Sequence, residues 1–250
     1  MAEPIVSIIT PAYNCVSTIK ETYESIKTQT FSSWEWVVVE DHSTDESYEF
    51  IKEMVKNDKR VVLLRTEKNG GAAVARNMGI EYAKGRFVAF LDADDLFKKD
   101  KLEKQIRFME QNKYSFTFTD YDLLYPNGKQ KKHLIKHDLL TYKMLLKSNF
   151  IGCLTVIYDT KAIGKAYMPL DCEKREDHGA WIDITKKGIN ATKLAEPLSI
   201  YRLGERTVSS NKFRMIKYQY RLYRKHEKFG VIKSCWYVLT CSFYKLFKKY

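Results

Sequence analysis

Gly85-Arg-Phe-Val-Ala-Phe-Leu-Asp-Ala-Asp-Asp95 is the stretch on which the fold turns. Five apolar residues, Phe87 to Leu91, run directly into Asp92, Asp94 and Asp95. A short apolar run bounded by glycine on one side and polar residues on the other reads as a buried strand. In an open α/β sheet, ligands bind beyond the carboxyl ends of the strands, so these carboxylates stand where a site is expected.

The same pattern recurs on both sides. Ile5–Ile9 precedes an amphipathic stretch at 18–28, Trp34–Val39 precedes 45–56, Val61–Arg65 precedes 72–83, and Phe87–Leu91 precedes 98–112. This βαβα rhythm predicts a Rossmann-like, mostly parallel central sheet flanked by helices. Thr18 with Glu21 three residues on predicts a capping box, and Ile19, Tyr23 and Ile26 share one helical face. The second half is less regular. It predicts a strand at 114–120, a turn at Pro126-Asn127-Gly128, a helix near 138–147, a strand at Cys153–Tyr158, a helix at 177–187 and a strand at 192–200. Without a repeat or low-complexity linker, the pattern implies one domain over 1–210, in two halves at 1–112 and 113–210. Residues 211–250 read as a C-terminal helical appendage.

Composition narrows the classes. The chain has 250 residues, 44% of them hydrophobic, enough for a large core. Met1 to Pro4 carries no basic region ahead of the apolar stretch, so no secretory signal is read and a cytoplasmic protein is expected. The five cysteines Cys15, Cys153, Cys172, Cys235 and Cys241 lack CxxC spacing and read as free thiols, not as a disulfide framework or zinc site. Of the formal charge of +12, residues 212–250 contribute +10, from eleven Lys/Arg against Glu227 alone; the body carries the remaining +2. A near-neutral body argues against a nucleic-acid-binding domain.

Acidic and polar tips follow three strands: Thr10-Pro11-Ala12-Tyr13-Asn14, Glu40-Asp41-His42-Ser43-Thr44-Asp45, and Asp92-Ala93-Asp94-Asp95. Turn formation and helix capping account for either acidic group alone. A cap needs one carboxylate, however, and clustered like charges repel unless a cation sits among them. Carboxylates without His or Cys partners suit Mg²⁺ or Mn²⁺, ions that keep open positions for phosphate oxygens. A diphosphate ligand is therefore expected.

These residues resemble the family 2 glycosyltransferases of the GT-A fold. The resemblance lies in Val6-Ser-Ile-Ile-Thr-Pro-Ala-Tyr-Asn14, Gln29-Thr-Phe, Trp36-Val-Val-Val-Glu-Asp-His-Ser-Thr-Asp45, Asn69-Gly-Gly-Ala-Ala-Val-Ala-Arg-Asn-Met-Gly79, Gly85–Asp95, Arg175-Glu-Asp177, and Tyr201-Arg202 with Ser209-Ser210. It implies an inverting, metal-dependent transferase of the bacterial polysaccharide or lipooligosaccharide type. The donor would be a nucleotide-sugar, a UDP-sugar by the Asp41 contact, and the acceptor a hydroxyl of a glycan or lipid-linked glycan. Thr10, Ala12 and Tyr13 would line the nucleobase, Asp41 would accept from a uracil N–H, and Arg76 would hold the base and phosphate end. Asp92-Ala93-Asp94 would be the DxD motif, with Asp94 the metal ligand and Asp92 on ribose or the metal; Asp95 would cap the next helix. Glu176-Asp177 would be the acidic pair near the acceptor, with Asp177 the catalytic base and Asp171 and Glu173 nearby alternatives. A base is needed in any case, since a sugar hydroxyl must lose its proton as it attacks.

Two departures stand out: His42 where the family often has glycine, and Tyr201-Arg202-Leu203-Gly204 where it often has a histidine. Arg202, Arg206 or Ser209 are the candidates to hold phosphates instead. His133, His137 and His226 read as surface residues. The competing readings are a nucleotidyltransferase, which lacks support because no Gly-rich basic phosphate loop opens the chain, and a binding module of the same fold without catalysis.

Eleven aromatics interleave with the cations of 212–250, and the lysine-free stretch Ser234–Tyr244 is only eleven residues long. A membrane-spanning helix needs about twenty. The expectation is a helix lying in an anionic membrane interface, on the inner face of the cell membrane. The alternative is packing of these aromatics on the catalytic domain or on a second copy in a homodimer.

Overall fold

A computed structural model describes residues 3–204 and 212–247. In chain order the first half runs β1 (Val6–Ala12), α1 (Ile19–Lys27), β2 (Trp34–Glu40), α2 (Ser47–Val55), β3 (Val61–Arg65), α3 (Ala72–Tyr82) and β4 (Phe87–Phe90). Next come β5 (Leu96–Phe97), α4 (Lys101–Asn112), β6 (Phe116–Leu124), β7 (Gln130–His133), β8 (Leu139–Leu140), α5 (Tyr142–Leu145), β9 (Ile157–Asp159) and α6 (Thr160–Ile163). The chain ends with α7 (Glu176–Lys186), β10 (Ala191–Arg202), α8 (Lys212–Arg221), a π-helical turn (Leu222–His226) and α9 (Val231–Phe247).

One sheet carries the molecule, ordered β3-β2-β1-β4-β9-β6-β10-β5, with β7 on β6 and β8 on β10. The parallel pairings predicted from the βαβα rhythm are β3-β2, β2-β1 and β1-β4. Beyond β4 the sheet is mixed: β9 runs antiparallel to both β4 and β6, and β10 is parallel to β6. The chain winds outward from β1 to β3, then returns to place β4 on the other side of β1. The carboxyl ends of β1 and β4 therefore flank a switch point.

Strand alternation divides the core. Ile9, Val37, Val39, Val88 and Phe90 belong to one buried cluster, while Ile8, Trp36, Val38, Phe87 and Ala89 belong to another on the opposite face. Successive side chains of a strand point to opposite faces, so each strand feeds both layers. One cluster includes Ala75 and Ile80 of α3 with Trp181 of α7; the other includes residues of α1, α2 and α4. Gly79 is required where α3 crosses β1, since a Cβ there would lie 2.6 Å from Ile9 Cγ2. Gln29 ties α1 to α4, donating to Lys98 O and accepting from Leu102 N at 2.8 and 3.1 Å.

Several local expectations change. The capping box does not form: Thr18 makes no side-chain cap bond, its hydroxyl donates to Cys15 O, and Arg202 engages Glu21. Asp95 caps no helix, because β5 intervenes and α4 begins at Lys101. The helix near 138–147 shortens to α5, since β8 takes Leu139–Leu140 and Thr141 is extended. The strand at Cys153–Tyr158 opens instead as a 3₁₀ turn over Cys153–Thr155.

The C-terminal segment is part of the core. Leu222 and Tyr223 are fully buried in the cluster that contains Phe116 and Trp181. Tyr223 donates to Leu146 O at 2.6 Å. Truncating an aromatic at such a position costs about 3–5 kcal/mol. Glu227, the segment's lone acid, is buried against Tyr142 and Lys186.

Candidate active site

The Asp92–Asp95 loop is held from three sides. The Thr22 hydroxyl of α1 points at the carbonyls of Ala93 and Asp95, each at 3.0 Å. From β10, the Arg202 amide donates to Asp95 Oδ1 at 2.9 Å, its Nε donates to Asp94 O at 2.9 Å, and its guanidinium reaches Glu21. Arg202 thus clamps the Asp92–Asp95 loop. Asp95 is buried and its Oδ2 has no hydrogen-bond partner among the described residues. Burial, then the Asp92 and Asp94 charges, raises its carboxyl well above the usual range. Asp94 lines the cleft mouth, and removal of bulk water around it followed by repulsion from Asp92 raises it as well.

Arg76 occupies the middle of the cluster. It projects from α3, is 5% exposed, and pairs with Asp92 at 2.6 Å and Glu176 at 3.2 Å. It is therefore no helix-surface arginine. Burial alone would lower its pKa, but the Asp92 and Glu176 charges hold it well above the ordinary value. The repulsion that the sequence assigns to a divalent ion is thus already relieved in part by a guanidinium. Glu176 remains raised, by burial first and by Asp177 second.

Asp41, at the end of β2, builds the approach to α3. Its carboxylate accepts from Thr66 Oγ1, Gly70 N and Gly71 N at 3.0, 2.9 and 2.7 Å. Gly71 has φ 82, a left-handed value that glycine adopts without steric cost. Asp41 is only 2% exposed, so three of its acceptor positions serve this turn. Thr10 and Ala12 are fully buried, with the Thr10 hydroxyl accepting from Trp36 Nε1 at 2.8 Å. Of the three residues expected to line a nucleobase, only Tyr13 presents side-chain surface. Asn14 staples this loop to Ser43 and Thr44 beyond β2. His42 has φ 56, which gives the family's usual glycine at this position a conformational reason.

Across the cleft, Glu176 and Asp177 open α7. Asp177 lies one residue inside the helix and is not its cap; Oδ1 accepts from His178 N at 2.7 Å and Oδ2 from Asn149 Nδ2 at 3.0 Å. A cleft of about 630 Å³ gathers Arg76, Asp92, Asp94, Glu176, Asp177 and Arg202. Ala93 is nearly buried beneath it. Arg206, Ser209 and Ser210 lie outside the described residues.

The cleft also holds residues that the sequence did not single out for it. Asn149, on the loop after α5, meets Asp177. Tyr121, His133 and Tyr201 form an aromatic wall: Tyr121 lies 4.6 Å from His133 and 6.2 Å from Tyr201 between ring centres. Burial, then the Asp95, Asp92 and Asp94 charges, pushes the Tyr201 phenol up to about 12. His133 is thus a cleft residue, and burial lowers its pKa. His137 packs edge-on against Phe150, and His178 is buried with Nε2 donating to Leu145 O at 2.7 Å. Asp171 and Glu173 point to the C-terminal segment, engaging His226 and Arg221.

Two groups among the described residues bring three ligand types close together: Asp171, Cys172 and His226, and Asp183, His226 and Glu227. In both, the ring nitrogens of His226 already pair with carboxylates, Nδ1 with Asp171 at 3.1 Å and Nε2 with Asp183 at 2.9 Å. Hydrogen bonding to Asp183 raises the ring's pKa and so favours the protonated form, whose two nitrogens both donate and offer no lone pair. Asp92 and Asp94 instead offer oxygen ligands at an open cleft, in a set too small to enclose an ion. That fits Mg²⁺ or Mn²⁺ sharing its coordination with substrate phosphates.

Comparison with known proteins agrees with this geometry. The model for glycosyl transferase family 2 matches residues 7–167. The chain is 41% identical over 235 residues to TuaG of Bacillus subtilis, a glycosyltransferase assigned to teichuronic acid biosynthesis, covering 94% of this chain and 93% of that one. It is 38% identical over 221 residues to WfgD of Escherichia coli, named UDP-Glc:alpha-D-GlcNAc-diphosphoundecaprenol beta-1,3-glucosyltransferase, covering 88% and 85%. The fold resembles that of the Pyrobaculum calidifontis mannosyltransferase PcManGT, solved with GDP-Man and Mn²⁺, at a TM-score of 0.70 and 16% identity, covering 97% of this chain and 74% of that one. The chain belongs to glycosyl transferase family 2 and has the GT-A fold.

Proposed function

We propose that this enzyme transfers a sugar from a UDP-sugar to a hydroxyl of a lipid-linked glycan during cell-surface polysaccharide synthesis, with inversion at the anomeric carbon. The observation that carries the reading is the single cleft that puts the Asp92–Asp94 carboxylates opposite Asp177, with Arg76 joined to Asp92 on one side and Glu176 on the other. The donor class and lipid-linked acceptor follow the activity named for WfgD.

In this reading Tyr13 contacts the nucleobase, and the Asp41-anchored turn presents the start of α3 to the donor. Asp94, with Asp92, would hold a divalent cation, which supplies charge neutralisation for the departing diphosphate. Arg76 pairs with Asp92 and fixes its orientation. Asp177 takes the acceptor proton through an oxygen placed by Asn149. Glu176, paired to Arg76, sets the position of the first turn of α7. One displacement by a hydroxyl opposite the leaving group inverts the configuration and requires no enzyme nucleophile, so the buried thiol of Cys153 has no part in it. The raised thiol pKa, caused by burial, agrees with that.

Release of nucleotide diphosphate from a panel of UDP- and GDP-sugars, with Mn²⁺ and a diphospholipid-sugar acceptor, tests the proposal. Turnover with a UDP-sugar that is lost in Asp94→Ala is the expected outcome. Exclusive turnover of a GDP-sugar, or undiminished turnover by Asp94→Ala, overturns it.

A further inference from the structure

The C-terminal helix has two apolar faces, one packed on the body and the other exposed. Ser234, Tyr237, Val238, Cys241 and Tyr244 of α9 face the body: Ser234 and Cys241 are buried, Tyr237 packs on Tyr223 and Phe229, and Tyr244 meets Phe150 edge-on at 5.9 Å. At 100° per residue, Ile232, Cys235, Trp236, Leu239 and Phe243 fall on the opposite side. All five are exposed, Ile232 at 89% and both Trp236 and Leu239 at 67%. Scattered surface apolar residues need no explanation, but a continuous ridge of this kind marks an interaction site.

We infer that the ridge Ile232–Trp236–Leu239 docks on an anionic lipid surface, with α9 lying flat in the headgroup layer. Charge selects the occupant. The segment 212–250 carries +10, and its one acid, Glu227, is buried against Lys186 and Tyr142. Two copies meeting through this face would bring two such charges together, whereas an anionic surface neutralises them. A nucleic acid would answer the cations but leave Ile232 and Leu239 uncovered by apolar atoms. Lys225, Lys228 and Lys233 are exposed near the start of α9, as a helix in a headgroup layer requires.

Geometry limits the mode of contact. No helix among the described residues is long and apolar enough to cross a membrane. The inner face of α9 is already packed on the protein, so insertion is confined to the outer ridge. Met215 of α8 lines the cleft, and α8 leads through the π-turn into α9, so the docked surface and the reaction cleft share one continuous segment. The inference does not depend on the identity of donor or acceptor.

The test uses the full chain, because removing the segment would take Leu222 and Tyr223 out of the core. Wild type and the triple variant Ile232→Ser, Trp236→Ser, Leu239→Ser are sedimented with vesicles rich in phosphatidylglycerol and, separately, with phosphatidylcholine vesicles; sedimentation velocity reads their association state. Circular dichroism checks that the variant folds. The expected result is partitioning of the wild type to anionic vesicles only, weakened at least ~10-fold in the variant, with both proteins in the same association state. A wild type that stays in the supernatant overturns the inference, as does a variant that partitions equally. A wild-type dimer that the variant converts to monomer assigns the ridge to a second copy and also overturns it.

Discussion

At the cleft, Asp92 and Glu176 flank Arg76 at 2.6 and 3.2 Å; at the base of the C-terminal segment, Asp171 and Asp183 flank His226 at 3.1 and 2.9 Å. Each cluster sets a cation between two carboxylates from separate parts of the chain, yet they do different work. The guanidinium keeps its charge across the whole accessible pH range and spends it on two acids that still have oxygens turned toward an open cleft. The imidazole turns both its nitrogens to carboxylates and closes its cluster, fastening the C-terminal segment to the loop before α7 and to α7 itself. Proximity of acids and histidine alone would have put a metal at the second cluster. Pairing of both ring nitrogens with carboxylates favours a closed ion-pair cluster there, whereas Asp92 and Asp94 line an open cleft.

The largest effect expected at the cleft is on chemistry. Asp177→Asn keeps a group of the same shape that can no longer take a proton, so transfer should fall on the order of 100- to 10,000-fold while the melting temperature stays near that of wild type. Turnover at the wild-type rate would move the base elsewhere. Second in size is the hub itself: Arg76→Met leaves Asp92 and Glu176 facing each other across a buried apolar side chain. The loss of stability in urea unfolding should be about 3–5 kcal/mol and should shrink in acid, where Glu176, already raised by burial, takes up a proton. A neutral Arg76→Met variant would show that the guanidinium is not what holds the cluster together.

The contrast also explains which parts of the site could be read in advance. Asp92–Asp95 was legible because a strand and the polar residues after it are contiguous, and the sheet fixes where such a tip must lie. Asp177 was legible through its motif. Asn149 was not, because a loop position has no periodicity, and its meeting with Asp177 depends on how the chain from α5 crosses the mouth of α7. His133 sits among lysines and reads as surface, yet the β6–β7 hairpin lays it on Tyr121. His226 reads the same way until α7 supplies Asp183. In the sheet, the parallel half was written in its alternating runs. The antiparallel entry of β9 between β4 and β6 was not, since three residues give no direction. In α9 the apolar residues were visible, but only tertiary packing decides which face is covered.

At the closed cluster the effects are smaller. Glu227→Gln keeps an acceptor for the Tyr142 hydroxyl but removes the charge opposite Lys186, whose side chain is 52% exposed. A loss of about 1 kcal/mol is expected in urea unfolding, below that of Arg76→Met because the partner charge can return to water. A loss as large as that of the cleft hub would erase the distinction between the two clusters.

The smallest effect should also be the most diagnostic, because only one of the two central cations titrates. Hydrogen bonding to Asp183 is the largest influence on His226 and, with the Asp183 and Asp171 charges, raises its pKa above the ordinary value despite the opposing effect of partial burial. A group whose folded pKa is raised stabilises the fold fully below its unfolded pKa, about 6.5 for histidine, and that contribution disappears as pH climbs through the folded value. The carboxylates of Asp171 and Asp183 face the ring, and Glu227 with Lys186 adjoins it. Melting temperatures of wild type and His226→Gln should therefore differ most at about pH 6 and converge at alkaline pH. The Arg76 guanidinium, by contrast, keeps its charge at both pH values. A His226→Gln gap that widens toward alkaline pH would mean the ring is held neutral, and the lone pair would again be available to a metal.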